Sequence, residues 1–294
     1  LDLAPSVIET ARKAATDLGL RNVSLYAADI READDSLGRF DYIIAHGVFS
    51  WVPEDVRLAM LDLCGRLLTP HGVAYISYNA YPGCYVRRAF WDVLKFHTRA
   101  LTDPAQKVQQ AKAVLHFLAE GTAFKGPLCD AVRQEARAMA FDRHESVLFH
   151  DDLAGINQPY YFHEFAALAA GHGLRFLSEA DYSDMTNTPF PQAVTERLLQ
   201  LGQMDVHLQE QYRDYLTMRR FRQTLLVRAD VAIDRPPDPW RVKELSIACE
   251  TRPDPADADL SPGVPVQFQL KSGTSLTIDH PLAKAALLAL GRRW

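Results

Sequence analysis

The sequence predicts an α/β fold with a doubly wound sheet, a helical insertion and a small α+β region at the carboxyl end. Three observations predict it. Short apolar runs alternate with segments of helical periodicity. One run, residues 40–46, is apolar on both faces, which is typical of a strand in a parallel sheet that is covered on both sides. Acidic and small polar residues follow the runs, at the strand ends where open α/β sheets bind ligands.

The first elements follow from helix and turn signals. Pro5 suits the first position of a helix, apolar residues recur at helical spacing as far as Leu18, and Gly19 ends the run. Residues 23–28 then form a short apolar-rich run, which we interpret as a strand closed by Asp29.

The next helix lies between Val56 and Leu67, where apolar residues again recur at helical spacing. The turn signals of residues 69–72 stop it, and residues 73–78 predict another strand.

The pattern changes after Gly83. Residues 86–149 show only helical periodicity, with breaks at 101–104 and 121–127, so we predict a helical insertion over 84–160. The α/β pattern then returns with a helix at 162–171, a strand at 174–180, helical residues at 191–220 and a final strand at 223–229.

A separate carboxyl-terminal region follows the linker-like residues 234–239. We predict strands at 240–250 and 264–279, a Pro- and Asp-rich loop at 251–263, and a helix from 281 to 294. The predicted domains are 1–83 together with 161–230, the insertion 84–160, and the partial carboxyl-terminal domain 231–294.

Composition excludes several classes of protein. The 294 residues carry a net charge of −5, with 48% hydrophobic and 23% charged residues, which is ordinary for a globular protein. Lys and Arg are not concentrated on the scale of a nucleic-acid footprint, so we expect no nucleic-acid partner. The apolar runs are too short to span a membrane. The scattered cysteines favour free thiols in the cytoplasm over a disulfide framework or a metal site.

The first residues raise a separate expectation. In βαβ cofactor-binding units an acidic residue follows the glycine-rich turn by about 20 residues and holds the ribose. Asp2 stands where that acid would stand, but without the strand and glycine loop before it. With no initiator Met and a helix that ends at Trp294, we expect a fragment or processed form. A missing central strand would expose apolar edges, which predicts homo-oligomerisation or poor solubility.

Two carboxylates are the first candidates for a binding site. Asp2 could accept hydrogen bonds from a ribose diol, although it could also be a helix-initiating acid favoured by the macrodipole. Asp29 could accept from an adenine amino group while the Ile30 N–H donates to a ring nitrogen, although Asp29 could also be a plain loop cap. We expect both carboxylates at one edge of the sheet.

Two further segments leave strands at this edge. Residues 46–51 (HGVFSW) could wall a pocket with Gly47 and Trp51, or simply pack; His46 as a general base lacks an orienting partner in the sequence. In residues 78–83 the Asn79 amide and the Tyr81 hydroxyl could bind an amine, or the segment could be a plain turn.

Residues 157–165 (NQPYYFHEF) concentrate aromatic side chains, either as part of a pocket or as the lead-in to a helix. His144, His150, Asp151 and Asp152 match no metal motif, so we predict no metal site. P-loop, G-x-S-x-G and H-E-x-x-H motifs are absent from the sequence.

With these segments in hand, the sequence resembles a class I S-adenosylmethionine-dependent methyltransferase. Residues 2–30 look like its second strand, following helix and third strand, residues 40–53 like its fourth-strand motif, and residues 68–79 like its fifth strand. Residues 77–83 (SYNAYPG) and 152–182 resemble more specifically the bacterial subfamily with a methyltransferase regulatory domain, which includes lysine methyltransferases of outer-membrane proteins. The resemblance covers residues 1–230 and, more weakly, 231–294.

This resemblance implies S-adenosylmethionine as the cofactor. It assigns the ribose to Asp2 and Leu3, the adenine to Ala28, Asp29 and Ile30, and the methionine part to His46 and Gly47. We assign catalysis to Asn79 and Tyr81 and acceptor binding to Trp51, Tyr160 and Tyr161. The glycine-rich loop and the Asn/Asp-Pro-Pro-Tyr motif of many amine methyltransferases are missing.

The expected function is N-methylation of a lysine side chain in a protein, with the helical insertion as a lid or substrate platform. Two alternatives remain open. The chain could be a non-catalytic regulatory or binding module with the same fold, or a methyltransferase for a small molecule. The expected partner is therefore a protein or small-molecule methyl acceptor.

Overall fold

The computed structural model describes residues 1–121, 125–141, 144–187, 189–235, 238–254, 257–270 and 273–291. The chain divides into two compact units, Leu1–Ile233 and Asp234–Trp294. The helices of the first unit are α1 (Pro5–Asp17), α2 (Glu54–Leu67), α3 (Cys84–Thr98), α4 (Pro104–Glu120), α5 (Pro127–Phe141), α6 (Glu145–Val147), α7 (Phe162–Gly171), α8 (Gln192–Met204) and α9 (Val206–Thr217). Its strands are β1 (Phe40–Ala45), β2 (Leu68–Asn79), β3 (Leu174–Glu179) and β4 (Phe221–Arg228).

The strands of the first unit form one sheet in the order β1-β2-β4-β3. β1 runs parallel to β2, whereas β4 is antiparallel to both of its neighbours. The register pairs Ile44 with Tyr75 and Ile76 with Thr224. The predicted α/β class is confirmed, with a mixed sheet of parallel and antiparallel strands.

One expectation about β1 is wrong. Its apolar pattern predicted burial on both faces, but 74% of Tyr42 and 71% of Ile44 are exposed. Side chains of a strand project from the faces of the sheet, and Tyr42 and Ile44 share one face, so this face of β1 is uncovered among the described residues. β1 is also an edge strand of the described sheet and pairs there with β2 alone. An exposed apolar edge of this kind favours association with other chain segments.

The strand predicted at residues 23–28 is also absent as a regular element. This segment is extended, but its pairing is limited to an isolated parallel bridge between Asp2 and Ala27. The Asp2 N–H donates to the Tyr26 carbonyl at 3.1 Å, and the Ala28 N–H donates to the Asp2 carbonyl at 3.0 Å. Two ladder bonds are too few for a strand, but they fix the position of Asp2 beside residues 26–28.

The main core lies between the sheet and two helices. Buried side chains from α2, β2, α7 and β4 form it, including Leu61, Ile76, Phe165 and Leu226. Burying each large apolar side chain stabilises the fold by about 1.5–3 kcal/mol. Residues of the predicted insertion build a second core from α3, α4 and α5 with Phe90, Leu94, Ala111, Leu115, Ala136 and Met139.

A buried ionic cluster joins β3, β4 and α9. The side chain of Arg222 is fully buried and pairs with Glu179 at 2.6 Å, with Asp214 at 2.8 Å and with Glu210 at 3.2 Å. Burial alone would lower the pKa of Arg222, but Glu179 and Asp214 hold it above its usual value. Burial raises the pKa of Asp214 to about 6 against the opposing effects of Arg222 and Arg219.

The second unit, described by itself, contains a three-stranded antiparallel sheet of β5 (Thr251–Asp254), β6 (Val266–Leu270) and β7 (Ser275–Ile278), followed by α10 (Pro281–Gly291). Three predictions here are wrong. Residues 240–250 form no strand, and a short 3-10 helix spans Pro239–Glu244. β5 lies in the predicted loop 251–263, and the predicted strand 264–279 is the β6–β7 hairpin. The last residues of the predicted helix 281–294 lie outside the described residues.

Candidate functional site

Asp2 and Asp29 lie on two neighbouring segments that pair through a parallel bridge. The bridge sets Asp2 opposite Ala27, two residues before Asp29, so both acids leave adjacent extended segments that run in the same direction. The Asp2 Oδ1 accepts a hydrogen bond from the Ala4 N–H at 2.8 Å at the start of α1. Asp2 is exposed, and Leu3 beside it is 70% exposed. A ligand can therefore reach both residues.

The carboxylate of Asp29 is also an ion-pair partner. Arg31 donates to it from the side chain, at 2.6 Å for the shortest contact, and from the backbone at 2.9 Å. The same guanidinium reaches Asp55 at 2.6 Å. These hydrogen bonds lower the pKa of Asp29 to about 2. Asp29 caps the short helix that begins at Ile30, so the loop-cap interpretation describes part of its role.

His46 has an orienting partner that sequence reasoning missed. Its Nδ1 lies 2.9 Å from the Tyr75 hydroxyl, which in turn donates to the Gln223 Oε1 at 2.6 Å. Because the Tyr75 proton is directed to Gln223, the Tyr75 oxygen can accept an Nδ1–H from His46. In the tautomer that makes this bond, Nε2 is the acceptor.

Gly47 has the backbone freedom that its position requires. Its φ is +67°, a value that L side chains rarely adopt, and a Cβ placed on it would meet no atom within 4 Å. Its N–H donates to the Ser77 Oγ at 2.8 Å. The backbone at Gly47 is therefore fixed from β2 and open on the side where a side chain would project.

Two buried serines tie this corner together. Ser77 contacts both Gly47 and the Nδ1 of His46, the latter at 3.2 Å. The Ser50 Oγ accepts from the Asn79 N–H at 2.8 Å. The Ser50 carbonyl accepts from the Gln158 N–H, also at 2.8 Å. Neither serine stood out in the sequence, although each lies within a segment that did.

Asn79 is held by a second amide. Its Nδ2 donates to the Asn157 Oδ1 at 2.8 Å, and the Asn157 Nδ2 donates to the Asp151 carbonyl at 3.2 Å. This chain fixes the Asn79 amide so that its Oδ1 is the atom left to accept a bond from a ligand. Asn157 is buried and was part of the aromatic segment singled out from the sequence.

A short parallel pairing brings the tyrosines together. Ala80 bridges Tyr160, with the Tyr81 N–H donating to the Tyr160 carbonyl at 2.9 Å. The rings of Tyr81 and Tyr161 lie 5.4 Å apart. Burial raises the pKa of Tyr81 and of Tyr160. The hydrogen bond between the Tyr161 and Tyr85 hydroxyls is the main cause that raises the pKa of Tyr161 to about 12, so all three phenols are neutral near pH 7.

Trp51 carries an unsatisfied donor. Its Nε1 is buried and has no hydrogen-bond partner among the described residues. Leaving a buried N–H unpaired costs about 1–3 kcal/mol. A polar ligand group that accepts from Nε1 would remove that cost. Trp51 directly follows Ser50, whose hydroxyl accepts from the Asn79 N–H, so Trp51 is next to a residue that contacts Asn79.

The structure thus brings the predicted residues together in two groups. One contains Asp2, Leu3, Ala28 and Asp29, and the other contains His46, Gly47, Trp51, Asn79, Tyr81, Tyr160 and Tyr161. The two groups contact the same hydrophobic core. Ile30, next to Asp29, packs against the core cluster that includes Phe49, and Tyr160 packs against the same cluster.

Other parts of the molecule give less support to a site. A cavity of about 440 Å³ is lined by residues from 183–190 and 213–221, and none of the predicted site residues lines it. Within the described ranges, no three His, Cys, Asp or Glu side chains lie close enough to hold a metal ion. In the same ranges, no helix combines the length and apolar character needed to cross a membrane.

Comparison with protein families defines the class of protein. Residues 1–72 match the family profile of a methyltransferase domain, and residues 144–228 match that of the predicted methyltransferase regulatory domain. The chain therefore belongs to the methyltransferase family whose members carry this regulatory domain.

Its relatives extend this match along the chain. RP789 of Rickettsia prowazekii, an uncharacterized protein, is 34% identical over 293 residues, which are 98% of this chain and 52% of RP789. RP028 of the same organism, also uncharacterized, is 35% identical over 178 residues, which are 60% of this chain and 71% of RP028. The uncharacterized protein sll1526 of Synechocystis is 25% identical over 240 residues, covering 79% of this chain and 46% of the relative. The chain thus spans about half the length of two of these relatives.

A solved structure has the same fold. PKMT2 from Rickettsia typhi, determined in complex with AdoHcy, superposes with a TM-score of 0.84 at 29% sequence identity. The match covers 99% of this chain and 56% of PKMT2, and a second structure of PKMT2 gives the same values.

Proposed function

We propose that the protein transfers a methyl group from S-adenosylmethionine to a lysine side chain of a protein. The observation that carries this proposal is the pairing of Asp2 with Ala27, which brings two carboxylates to the same end of adjacent segments. The match to PKMT2, whose structure contains AdoHcy, supports the choice of cofactor. AdoHcy is what remains of S-adenosylmethionine after the methyl group has left.

The residues at this edge fit the adenosine part of the cofactor. Asp2 would accept from the ribose hydroxyls with Leu3 beside it, and Asp29 with Ala28 and Ile30 would hold the adenine. Arg31 already donates to both oxygens of Asp29, from its backbone N–H and Nε to Oδ1 and from Nε and Nη2 to Oδ2, so an adenine amino group would share these oxygens with Arg31. Gly47 leaves room for a close backbone approach, since no atom lies where its Cβ would be. The cofactor supplies an activated methyl group on a sulfonium sulfur.

The acceptor amine must lose a proton before it can attack. A free lysine has a pKa of about 10.4, and a water-poor pocket lowers it because the charged form is desolvated. Tyr81, Tyr160 and Tyr161 would form the walls of this pocket, with the unpaired Trp51 Nε1 as an additional donor. The Oδ1 of Asn79 would accept from the amine and orient its lone pair.

His46 is our candidate for receiving the proton. With its Nδ1–H directed at the Tyr75 hydroxyl, His46 would take the ammonium proton at Nε2 and become an imidazolium. Proton removal by an aligned base commonly contributes about 10²–10⁴-fold to a rate.

The helical insertion would act as the lid or platform for the acceptor. Buried free thiols at Cys64 and Cys84 are in keeping with a cytoplasmic location.

The experiment compares acceptors directly. The full-length protein is incubated with methyl-labelled S-adenosylmethionine and a cell lysate, and the label is located by mass spectrometry. We expect it on protein lysines, with His46→Ala slowing transfer and the exposed His71→Ala leaving it unchanged. Label only on small molecules would replace the proposal with a metabolite methyltransferase. Cofactor binding without any transfer would support a non-catalytic module.

A further inference from the structure

A continuous row of tyrosine rings leads away from the proposed acceptor pocket. We name Tyr81, Tyr85, Tyr161, Tyr215 and Tyr212 the tyrosine strip. Tyr81 stacks on Tyr85 with 4.3 Å between ring centroids. From Tyr81 the strip passes to Tyr161 at 5.4 Å, to Tyr215 at 6.1 Å and to Tyr212 at 5.7 Å. The rings come from the end of β2, from α3, from the start of α7 and from α9, so it is the tertiary fold that assembles the row.

The outer members of the strip face solvent. Tyr85, Tyr212 and Tyr215 are 52%, 48% and 42% exposed. Contiguous aromatic surface of this kind commonly marks a binding site. A hydrogen bond of 3.2 Å joins the hydroxyls of Tyr85 and Tyr161, which keeps both rings fixed relative to each other.

The charge beside the strip is negative. Glu164 is exposed and accepts a hydrogen bond from the Tyr161 N–H at 3.1 Å, so it stands directly next to the central ring. Burial is the main cause that raises the pKa of Tyr81 and of Tyr215, and the charge of Glu164 adds to both shifts. Arg88 is the opposing cation near Tyr81, and it is itself paired with Asp92 at 3.7 Å.

Aromatic faces next to a carboxylate bind cations. An ammonium group over a tyrosine ring is attracted by the quadrupole of the ring, and a nearby carboxylate adds Coulomb attraction. His163 stacks against Tyr161 at 5.5 Å, which leaves the exposed faces of Tyr85, Tyr215 and Tyr212 as the more accessible positions.

The spacing of the rings selects an extended chain over a single small cation. Alternate side chains of an extended segment project on the same side at intervals of about 6.6 Å. The three centroid steps from Tyr81 to Tyr212 lie between 5.4 and 6.1 Å, which is close to that interval.

We propose that the tyrosine strip, together with Glu164, binds an extended, lysine-containing protein segment and guides it to the acceptor pocket. Lysines at alternate positions flanking the acceptor would place their ammonium groups over Tyr215 and Tyr212. This inference rests on the proposed lysine methylation and adds residues that neither the family match nor the pocket assigns. It makes the regulatory region, residues 144–228, part of substrate recognition.

Peptide binding tests the strip without turnover. The probes are two fluorescein-labelled peptides of glycine and serine, one with lysine and one with uncharged norleucine at alternate positions. We expect the full-length protein to bind the lysine peptide at least tenfold more tightly by fluorescence anisotropy. Equal binding of the two peptides would overturn the proposal.

Substitutions locate the site. Tyr215→Ala and Tyr212→Ala should each weaken lysine-peptide binding roughly two- to fivefold, the range of an exposed cation–π contact. Tyr215→Phe keeps the ring face and should bind like the parent. Tyr182→Ala, at a tyrosine that is 66% exposed and outside the strip, is the matched control and should also bind like the parent. A parent-like affinity for both alanine variants of the strip would refute the assignment.

The two proposals fail in different ways. Lysine methylation with a KM that does not respond to Tyr215→Ala or Tyr212→Ala would refute the strip and leave the function standing. Selective binding of the lysine peptide that these variants weaken, without any methyl transfer, would support the strip and refute the proposed function. AdoHcy binding measured by calorimetry should be unchanged in every strip variant.

Discussion

Replacing Arg222 with Met tests how strongly the buried ionic cluster ties α9 to the sheet. Arg222 lies on β4, is fully buried and donates hydrogen bonds to Glu179, Glu210 and Asp214, all of them buried. Met fills a similar volume but leaves three carboxylates without their shared cation. Breaking a buried ion pair from one side costs about 3–5 kcal/mol, because an uncompensated charge stays buried.

The loss should be visible as a change in thermal midpoint. For a unit of this size, about 2–4 °C per kcal/mol converts the expected loss into a fall in Tm of roughly 6–20 °C. Arg228→Met is the matched control on the same strand, since the Arg228 side chain forms a surface pair with Asp230 at 2.8 Å. That pair is worth about 1 kcal/mol or less. The assay is scanning calorimetry on the full-length protein.

The destabilisation caused by Arg222→Met should depend on pH, and the pKa of Asp214 sets the direction of this dependence. The pKa of Asp214 is about 6 in the folded protein, above its ordinary value of 3.8. The folded protein therefore holds more protons than the unfolded chain in this window, and its stability falls as the pH rises through it. Without Arg222 this pKa moves higher, so the destabilisation by Arg222→Met must be larger at pH 8 than at pH 5.5. A Tm equal to that of the parent, or a loss that is the same at both pH values, would refute the reasoning.

Three further predictions concern the candidate site. Ser50→Ala leaves the Asn79 N–H without its acceptor and should lower the free energy of unfolding by about 1–3 kcal/mol, measured by urea denaturation. Arg31→Ala should raise the pKa of Asp29 from about 2 toward its usual range, measured by carboxyl NMR titration. Because a depressed pKa stabilises the fold above the usual value, the variant should be less stable than the parent near pH 7, and this difference should disappear as the pH falls toward 2. Gly47→Val forces a β-branched residue to a φ of +67° and should weaken AdoHcy binding in calorimetry, whereas Gly155→Val, where a Cβ meets no atom within 4 Å and φ is not positive, should leave it unchanged.

Local patterns were sufficient for most elements of the first unit. Pro5 and Gly19 marked the bounds of α1 because capping chemistry is local, and α1 does span Pro5–Asp17. The apolar run of β1 likewise predicted a strand. Its exposure could not be predicted, since burial of Tyr42 and Ile44 depends on what packs on that face of the sheet, which is set by distant parts of the chain.

The second unit shows where patterns fail. β5 contains Thr251, Arg252, Pro253 and Asp254, a sequence typical of a loop, and it is a strand because it pairs with β6. Patterns also fail in the first unit, where the buried face of β4 carries Arg222 and Thr224, so polarity alone would have placed that face in solvent. Of the carboxylates that neutralise Arg222, Asp214 and Glu210 precede it on α9 by 8 and 12 residues, whereas Glu179 on β3 is 43 residues away.

The sequence predicted which segments form the candidate site, but it did not predict the hydrogen bonds between their residues. Strand ends pointed to Asp29, His46 and Asn79 because ligands bind where parallel strands end. The partners of these residues were invisible, because Tyr75 and Asn157 meet His46 and Asn79 only after the chain folds. Arg31 binds Asp29 from only two residues further along the chain. The sequence does not show this pair, because it depends on the direction in which the Arg31 side chain points.

Calorimetry of AdoHcy binding to the full-length protein and its Asp2→Ala variant tests the central claim most directly. Two charge-assisted hydrogen bonds to a ribose, each worth about 1.5–3 kcal/mol, predict that Kd rises at least tenfold in Asp2→Ala. Asp17→Ala, which removes an exposed acid at the end of α1, should leave Kd unchanged. An Asp2→Ala protein that binds AdoHcy as tightly as the parent would contradict the account.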